Sequence, residues 1–391
     1  MNILFLLKSL ETGGVEVVTA ALANEFVKRG HVVCVFSFLG GVNSITGRLD
    51  ERIRLYEKND YSVSNDNVST LRDILIENKI DIIINQWGLP LAPIKTAQKA
   101  SKGLNTKIIS VYHNAPSFNG RIQKLNIALT ECENYIKKLL LKVVGFVFKT
   151  ITSGAMKYIY LNSDMFMVLS PCYIEEFKKF TGIKEASRLV VMTNPITIDD
   201  DNFQYNAQNK EKEIIYVGRL DFVQKRVYRV IDTWNELKES FPDWNLTIVG
   251  DGPEKKNIET KVKELDLQRV CFEGFKPPKE YYRRASVLIL TSDFEGFPLV
   301  LAECMSFGVI PVVYGSFSAV YDIIEDGKDG IIVSKKNGFD ARFMAEKIKE
   351  LLDDKERLNQ MALNAVEKSR AFSINRICEQ WEKVFSELRV N

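Results

Sequence analysis

The chain has 391 residues, enough for two or three domains of about 150 residues each. With 46% hydrophobic and 27% charged residues it has the composition of an ordinary globular protein, and a net charge of +2 leaves no nucleic-acid footprint. Six cysteines (34, 132, 172, 271, 304 and 378) form no C-x-x-C pair and no zinc spacing, a pattern that fits buried thiols in a reducing, cytoplasmic compartment.

Residues 1–7 lack the basic start of a signal peptide and soon meet Lys8 and Glu11, so they predict a first strand. No run reaches about 18 uninterrupted apolar residues, so no segment is expected to span a membrane. Gly13 and Gly14 lie in a loop over 8–15; a helix is predicted over 16–29, stopped by Gly30, and a second strand over 31–36. This βαβ order predicts a parallel sheet. Open α/β sheets bind ligands at the carboxyl ends of their strands, and there a glycine pair lets a phosphate or sugar approach the backbone.

A helix over 71–78 precedes strands over 80–85 and 107–112, the second of which delivers His113 into a loop on the same side as Gly13 and Gly14. Residues 121–160 differ in character. Arg121, Lys124, Lys137, Lys138, Lys142, Lys149 and Lys157 oppose only Glu131 and Glu133, and they interleave with apolar residues. Such a segment either lies in the headgroup region of an anionic leaflet or forms a core helix with a solvated basic face. Strands follow over 164–170 and 189–193, with a short helix between them and a turn at Asn194 and Pro195. Asp199 and Asp201 spell a D-x-D, but it stands in a polar linker where no metal is expected.

The second half restarts the α/β alternation. A strand over 213–218 ends in Gly218 and opens a loop with Arg219 and Lys225; a strand over 246–250 ends in Gly250. Further strands are predicted over 270–274 and 330–333, with helices over 227–240, 254–265 and 279–284. The run 285–290 reads as a buried strand, Glu295 and Gly296 sit in a strand-to-helix loop that runs on through Phe297, and Pro298 suits the first turn of a helix continued by Leu299 and Val300. Glu303 lies about a turn and a half inside the helix that follows. A helix start is an anion site, and here one carboxylate on the loop and one on the helix flank it. Arg219 and Lys225 supply a fork and a point charge for a diphosphate. Arg226, beside Lys225, competes for that role, and Lys225 is preferred. In the last helix, 373–388, Ile374, Ile377, Cys378, Trp381, Val384, Phe385 and Leu388 make one apolar stripe.

Glu295 and Glu303, within EGFPLVLAEC and followed by Gly308 and Pro311, resemble the E-x7-E signature of the retaining glycosyltransferases of family 4. The Gly13–Gly14 loop resembles that family's donor-phosphate loop. Gly218, Arg219 and Leu220 with Lys225 resemble its G-R-L…K element, although four residues rather than three separate Leu220 from the lysine. The resemblance implies an α/β protein of GT-B fold, two Rossmann-like doubly wound domains facing a central cleft. It implies an acceptor-side domain over 1–195, a donor domain over 196–370, and a helix over 371–391 returning to the first.

The implied reaction is retaining, metal-independent and cofactor-free. A hexosyl or N-acetylhexosaminyl group passes from a nucleotide diphosphate sugar, UDP being the commonest donor, to a lipid-linked or polysaccharide acceptor in cell-surface glycan synthesis. By the same resemblance Arg219 and Lys225 hold the diphosphate, Glu295 takes the sugar hydroxyls, and the backbone of Gly296 and Phe297 meets the same ring. Glu303 takes the ribose hydroxyls and His113 contacts the donor sugar near the reacting carbon. A cytoplasmic location is implied, peripheral on the inner membrane face if 121–160 meets lipid. Three other classes stand beside this one: a catalytically silent nucleotide-sugar-binding protein, a sugar-nucleotide epimerase, and a nicotinamide oxidoreductase, which the absence of G-x-G-x-x-G opposes.

Overall fold

The computed structural model describes residues 1–41, 45–198, 200 and 203–390. The chain forms two compact units, Met1–Thr197 with Phe372–Asn391, and Ile198–Ala371. Of the D-x-D, Asp199 and Asp201 lie outside the described residues; Asp200 accepts hydrogen bonds from Arg283 at 2.6 and 2.9 Å.

The first unit is built on seven parallel strands, β1 (Asn2–Ser9), β2 (Val32–Leu39), β3 (Arg54–Glu57), β4 (Ile82–Asn85), β5 (Lys107–Tyr112), β6 (Met165–Val168) and β7 (Leu189–Val191). Their order in the sheet is 3-2-1-4-5-6-7, so the direction of winding reverses between β1 and β4. Ile3 to Leu7 and Ile82 to Ile84 are essentially without exposure, because helices cover both faces of such a sheet. Those helices are α1 (Gly14–Lys28), α2 (Asn65–Glu77), α3 (Leu91–Ser101), α4 (Gly120–Glu131), α5 (Tyr135–Leu161) and α6 (Tyr173–Thr181). Gly14 is thus the first residue of α1 rather than a loop residue. α2 begins earlier than the apolar spacing suggests, because Ser64 caps it by accepting from the Asn67 N–H.

The second unit has six parallel strands, β8 (Glu213–Val217), β9 (Asn245–Val249), β10 (Val270–Gly274), β11 (Val287–Leu290), β12 (Ile310–Tyr314) and β13 (Ile331–Val333). Their order is 10-9-8-11-12-13, which puts the reversal between β8 and β11. Its helices are α7 (Tyr228–Leu237), α8 (Lys255–Glu264), α9 (Lys279–Arg284), α10 (Leu299–Ser306), α11 (Val320–Ile323), α12 (Ala341–Leu352) and α13 (Lys355–Ser369). α10 starts one residue later than the sequence suggests, with Pro298 at its N-cap.

The last helix, α14 (Ile374–Val390), belongs to the first unit and packs on α1. Trp381 and Phe385 meet Phe26 edge-on, while Arg29 and His31 both reach the Glu382 carboxylate.

α5 resolves the double reading of 121–160 on one point: it is not a core helix along its first four turns. Tyr135, Ile136, Leu139, Leu140, Val143, Val144, Phe146, Val147 and Ile151 are all exposed. Leu141, Gly145, Phe148 and Thr152, on the other side, are partly covered, and α4 packs beside α5. α5 is also long and apolar enough, by length and composition, to cross a membrane. Counting uninterrupted apolar residues misses this, because lysines punctuate the helix without changing its overall character.

Candidate active site

Both switch points gather polar side chains, and each belongs to its own unit. In the second unit β8 and β9 end in glycines whose backbones touch. Gly250, at φ +154°, lies so close to Gly218 that a Cβ would collide with the Gly218 carbonyl, and Gly218 itself has φ +150°. Only glycine combines that φ with that approach. The loop after β8 then carries Arg219, whose side chain is 61% exposed and pairs with Asp221 at 3.3 Å. Its backbone carbonyl is fixed by the Tyr216 hydroxyl at 2.9 Å.

At the end of this loop the two adjacent cations take different partners. Arg226 adopts φ +52°, which turns neighbouring side chains in different directions. Lys225 donates to Glu295 Oε1 at 2.6 Å, whereas Arg226 donates to Asp293 Oδ2 at 2.6 Å and stacks on Phe222. Asp293 is also held by Arg229 at 2.6 Å. Arg226 is therefore committed to structure, and Lys225 is the cation beside the loop carboxylate. Gln224 completes the arrangement: its amide donates to Glu295 Oε2 and to the Phe294 carbonyl, each at 3.2 Å.

After Glu295 the backbone passes through Gly296 and Phe297 to Pro298, and Leu299 opens α10 with no side-chain cap. Pro298 has no N–H, so Leu299 and Val300 are the residues whose N–H groups open this helix. Glu303 follows on the same helix and is 5% exposed. The Tyr282 hydroxyl lies 3.5 Å from its Oε2, and burial pushes that phenol well above its ordinary range, with the Glu303 carboxylate adding to the effect.

In the first unit Gly13 is the N-cap of α1 in extended conformation, which any residue adopts. A Cβ would stand 2.5 Å from the Glu16 carboxylate, which folds back over it. Glu16 is itself buried, and burial pushes its carboxyl up to about 7. His113 leaves β5 and pairs its Nε2 with Gln86 Oε1 at 2.7 Å. Burial pulls its imidazole down to about 4, so the ring is neutral at physiological pH. With Nε2–H donating to Gln86, Nδ1 is a buried acceptor without a partner.

The structure thus brings Gly218, Arg219, Lys225, Gly250, Glu295 to Leu299 and Glu303 to one end of the second sheet, and Gly13, Gly14 and His113 to the corresponding end of the first. Sequence reasoning missed Gln86, Gln224, Glu16 and Tyr282. Gln86 had the same signal as His113, a polar residue directly after a mostly apolar strand; Tyr282 had none.

Comparison with known proteins agrees with this architecture. Residues 12–200 match the model of Glycosyltransferase Family 4, and residues 197–368 match that of Glycosyl transferases group 1. An uncharacterized glycosyltransferase of Haemophilus influenzae is 28% identical, across 97% of this chain and 98% of its own. The GalNAc-alpha-(1->4)-GalNAc-alpha-(1->3)-diNAcBac-PP-undecaprenol alpha-1,4-N-acetyl-D-galactosaminyltransferase of Campylobacter jejuni is 25% identical, across 100% of this chain and 99% of its own. Among solved structures, Anabaena Alr3699/HepE in complex with UDP and glucose superimposes with a TM-score of 0.74 at 18% identity, covering 99% of this chain and 100% of that one. The pneumococcal O-GlcNAc transferase GtfA in complex with UDP and GlcNAc gives 0.76 at 12% identity, covering 100% and 99%.

Proposed function

Because the chain belongs to glycosyltransferase family 4, we propose that it moves a hexosyl or N-acetylhexosaminyl group from a UDP-sugar to a hydroxyl of a lipid-linked or polysaccharide acceptor, with retention and without a metal. That it is a glycosyltransferase of GT-B fold is shown by its relatives and its architecture. The sugar, the base and the acceptor are our reading. The observation that carries it is the meeting of Lys225 with Glu295 at the β8/β11 reversal, with Arg219 exposed beside them and Glu303 on the following helix. UDP in the Anabaena and pneumococcal neighbours, and an undecaprenol-linked glycan in the name of the Campylobacter relative, support the donor and acceptor classes.

The chemistry follows from charge. As the bond between the anomeric carbon and the phosphate oxygen lengthens, negative charge accumulates on the diphosphate. Lys225, Arg219 and the uncapped start of α10 stabilise that charge. The acceptor oxygen bonds to the same face of the anomeric carbon, and its proton passes to the departing phosphate oxygen. Glu295 and the backbone at Gly296 and Phe297 hold the sugar; Glu303 takes the two ribose hydroxyls, which match a carboxylate's paired acceptors. Neutral His113, its Nε2–H given to Gln86, accepts at Nδ1 from the donor sugar without adding charge. The glycines at 218 and 250 keep the backbone low at the second unit's switch point, where the diphosphate would lie, and those at 13 and 14 do the same at the first unit's.

The acceptor class also accounts for α5. It carries Lys137, Lys138, Lys142, Lys149 and Lys157, no acidic residue, and the broad exposed apolar face described above. Lysine stems lie along apolar surface with their ammonium groups in the headgroups, so the helix suits the cytoplasmic face of an anionic membrane, where a lipid-linked acceptor waits. The test of the transferase reading is UDP release from a panel of UDP-sugars in chelator, with lipid-linked and glycan acceptors. A chain that bound no nucleotide and released no UDP would not be this enzyme.

A further inference from the structure

At the carboxyl end of the first sheet lies a cluster that the donor chemistry does not use. Leu6 pairs with Asn85, the last residue of β4, and just beyond this pair stand Lys8 on β1 and Trp87 in the segment after β4. Lys8 Nζ lies 5.5 Å from the ring centre of Tyr61 and 5.7 Å from that of Trp87. Aromatic faces attract a cation but do not neutralise it. Among the described residues no carboxylate stands within ion-pair distance of Lys8. The nearby Glu16, whose carboxyl burial pushes up to about 7, offers only partial compensation.

The two rings bring polar tips of their own. Tyr61 Oη and Trp87 Nε1 are buried with no hydrogen-bond partner, as are Gln86 Nε2 and His113 Nδ1 next along the sheet edge. Three of the nine such atoms among the described residues, on Tyr61, Gln86 and Trp87, are therefore left for this cluster, His113 Nδ1 being already assigned to the donor sugar. Buried polar groups are kept unpaired mainly where something else satisfies them. Aromatic faces, ring-level hydrogen-bonding groups and one uncompensated cation together match a sugar: C–H faces for the rings, hydroxyls for the tips, and a negative charge for the ammonium.

We propose that Lys8, Tyr61 and Trp87 form an acceptor subsite that selects a negatively charged sugar, one bearing a ring carboxylate or a phosphate. The proposal rests on the transferase reading and deepens it. Tyr61 and Trp87 hold the ring, Lys8 pairs with the acidic group, and a neutral sugar leaves that charge unanswered.

The full-length protein is titrated, without donor, with methyl glucuronide, glucose 1-phosphate and methyl glucoside, following tryptophan fluorescence; a Trp87→Phe variant identifies the responding ring. At least one charged probe binds about tenfold more tightly than the glucoside, consistent with a charge-assisted hydrogen bond. Preference for the glucuronide assigns the charge to the sugar ring; preference for the phosphate assigns it to the carrier linkage. Lys8→Gln removes the preference and Lys8→Arg keeps it. If Lys8→Gln does not fold, the wild-type preference must still shrink as salt rises. Equal binding of all three probes overturns the subsite, as does a preference that persists in folded Lys8→Gln. UDP binding is measured on the same samples: nucleotide binding without charge selection sinks the subsite alone, and no nucleotide binding sinks the transferase reading.

Discussion

Lys225 and Glu295 come from loops 70 residues apart and meet at 2.6 Å, both largely withdrawn from solvent. Each is the other's counter-ion before any substrate arrives. On the proposed reading a diphosphate entering beside them competes for Lys225, and a sugar hydroxyl competes for Glu295. The contact keeps two buried charges compensated in the empty site and prepares both for exchange.

Replacing Lys225 with Met tests this directly. It strips the diphosphate of one fixed cation, and losing one such stabilising group typically costs about 10²–10³ in kcat. It also takes from buried Glu295 the ammonium that meets it at 2.6 Å, so the variant melts lower. Arg226→Met should behave differently. It takes one of two arginines from Asp293, which Arg229 still holds at 2.6 Å, so the variant melts lower while turnover per folded molecule falls much less. Steady-state kinetics paired with thermal melts separate the two, and equal kinetic losses would return Arg226 to the phosphate.

Glu303→Ala is expected to weaken UDP about 10–100-fold, on the order of the hydrogen bonds a carboxylate makes to two ribose hydroxyls. Tyr282→Phe removes only the group 3.5 Å from that carboxylate and should cost a few-fold, seen in the donor KM more than in kcat. Calorimetric titration with UDP checks both. Unchanged affinity in Glu303→Ala would show that the ribose lies elsewhere.

The α5 face makes a separate prediction. The protein should sediment with vesicles containing phosphatidylglycerol, less with purely zwitterionic ones, and progressively less with salt, since each lysine near an anionic surface contributes about 1 kcal/mol. Val143→Glu with Phe146→Glu places two acids in the middle of the exposed apolar face and should abolish sedimentation while leaving UDP binding intact. Retention of vesicle binding by that variant would place the membrane contact somewhere else on the chain.

How much of this was legible in the sequence depends on what each feature rests upon. The loop from Glu295 to Leu299 was readable because a short apolar strand, a glycine and a proline are local signals. β12 was not, because Pro311 argues against a central strand, yet it lies opposite Leu288 between two paired neighbours. The division of labour between Lys225 and Arg226 depends on a left-handed backbone at an arginine, for which no local signal exists. The basic apolar character of 121–160 was plain from composition. Whether that face is covered is a question of tertiary packing, and periodicity is the same either way.

The first unit also carries two buried titrations of opposite sign. Burial lowers the His113 imidazole to about 4 from an ordinary 6.5, so the unfolded chain binds the extra proton between those values and stability is lost as pH falls through that window. Burial raises the Glu16 carboxyl to about 7 from an ordinary 4.5, so here the folded chain holds the extra proton and stability is lost as pH rises through that window. Between about pH 4.5 and 6.5 the two slopes oppose each other and partly cancel. Variants separate them, provided each is compared with the wild type at every pH so that other titrating groups drop out. Glu16→Gln cannot ionise and should gain stability relative to the wild type as pH rises from 4.5 to 7. His113→Gln should gain relative to the wild type as pH falls from 6.5 to 4. Melting temperatures taken across pH 4 to 8 decide the matter: a wild-type-to-variant difference that stays constant over these ranges would mean that the group in question is not held away from its ordinary titration.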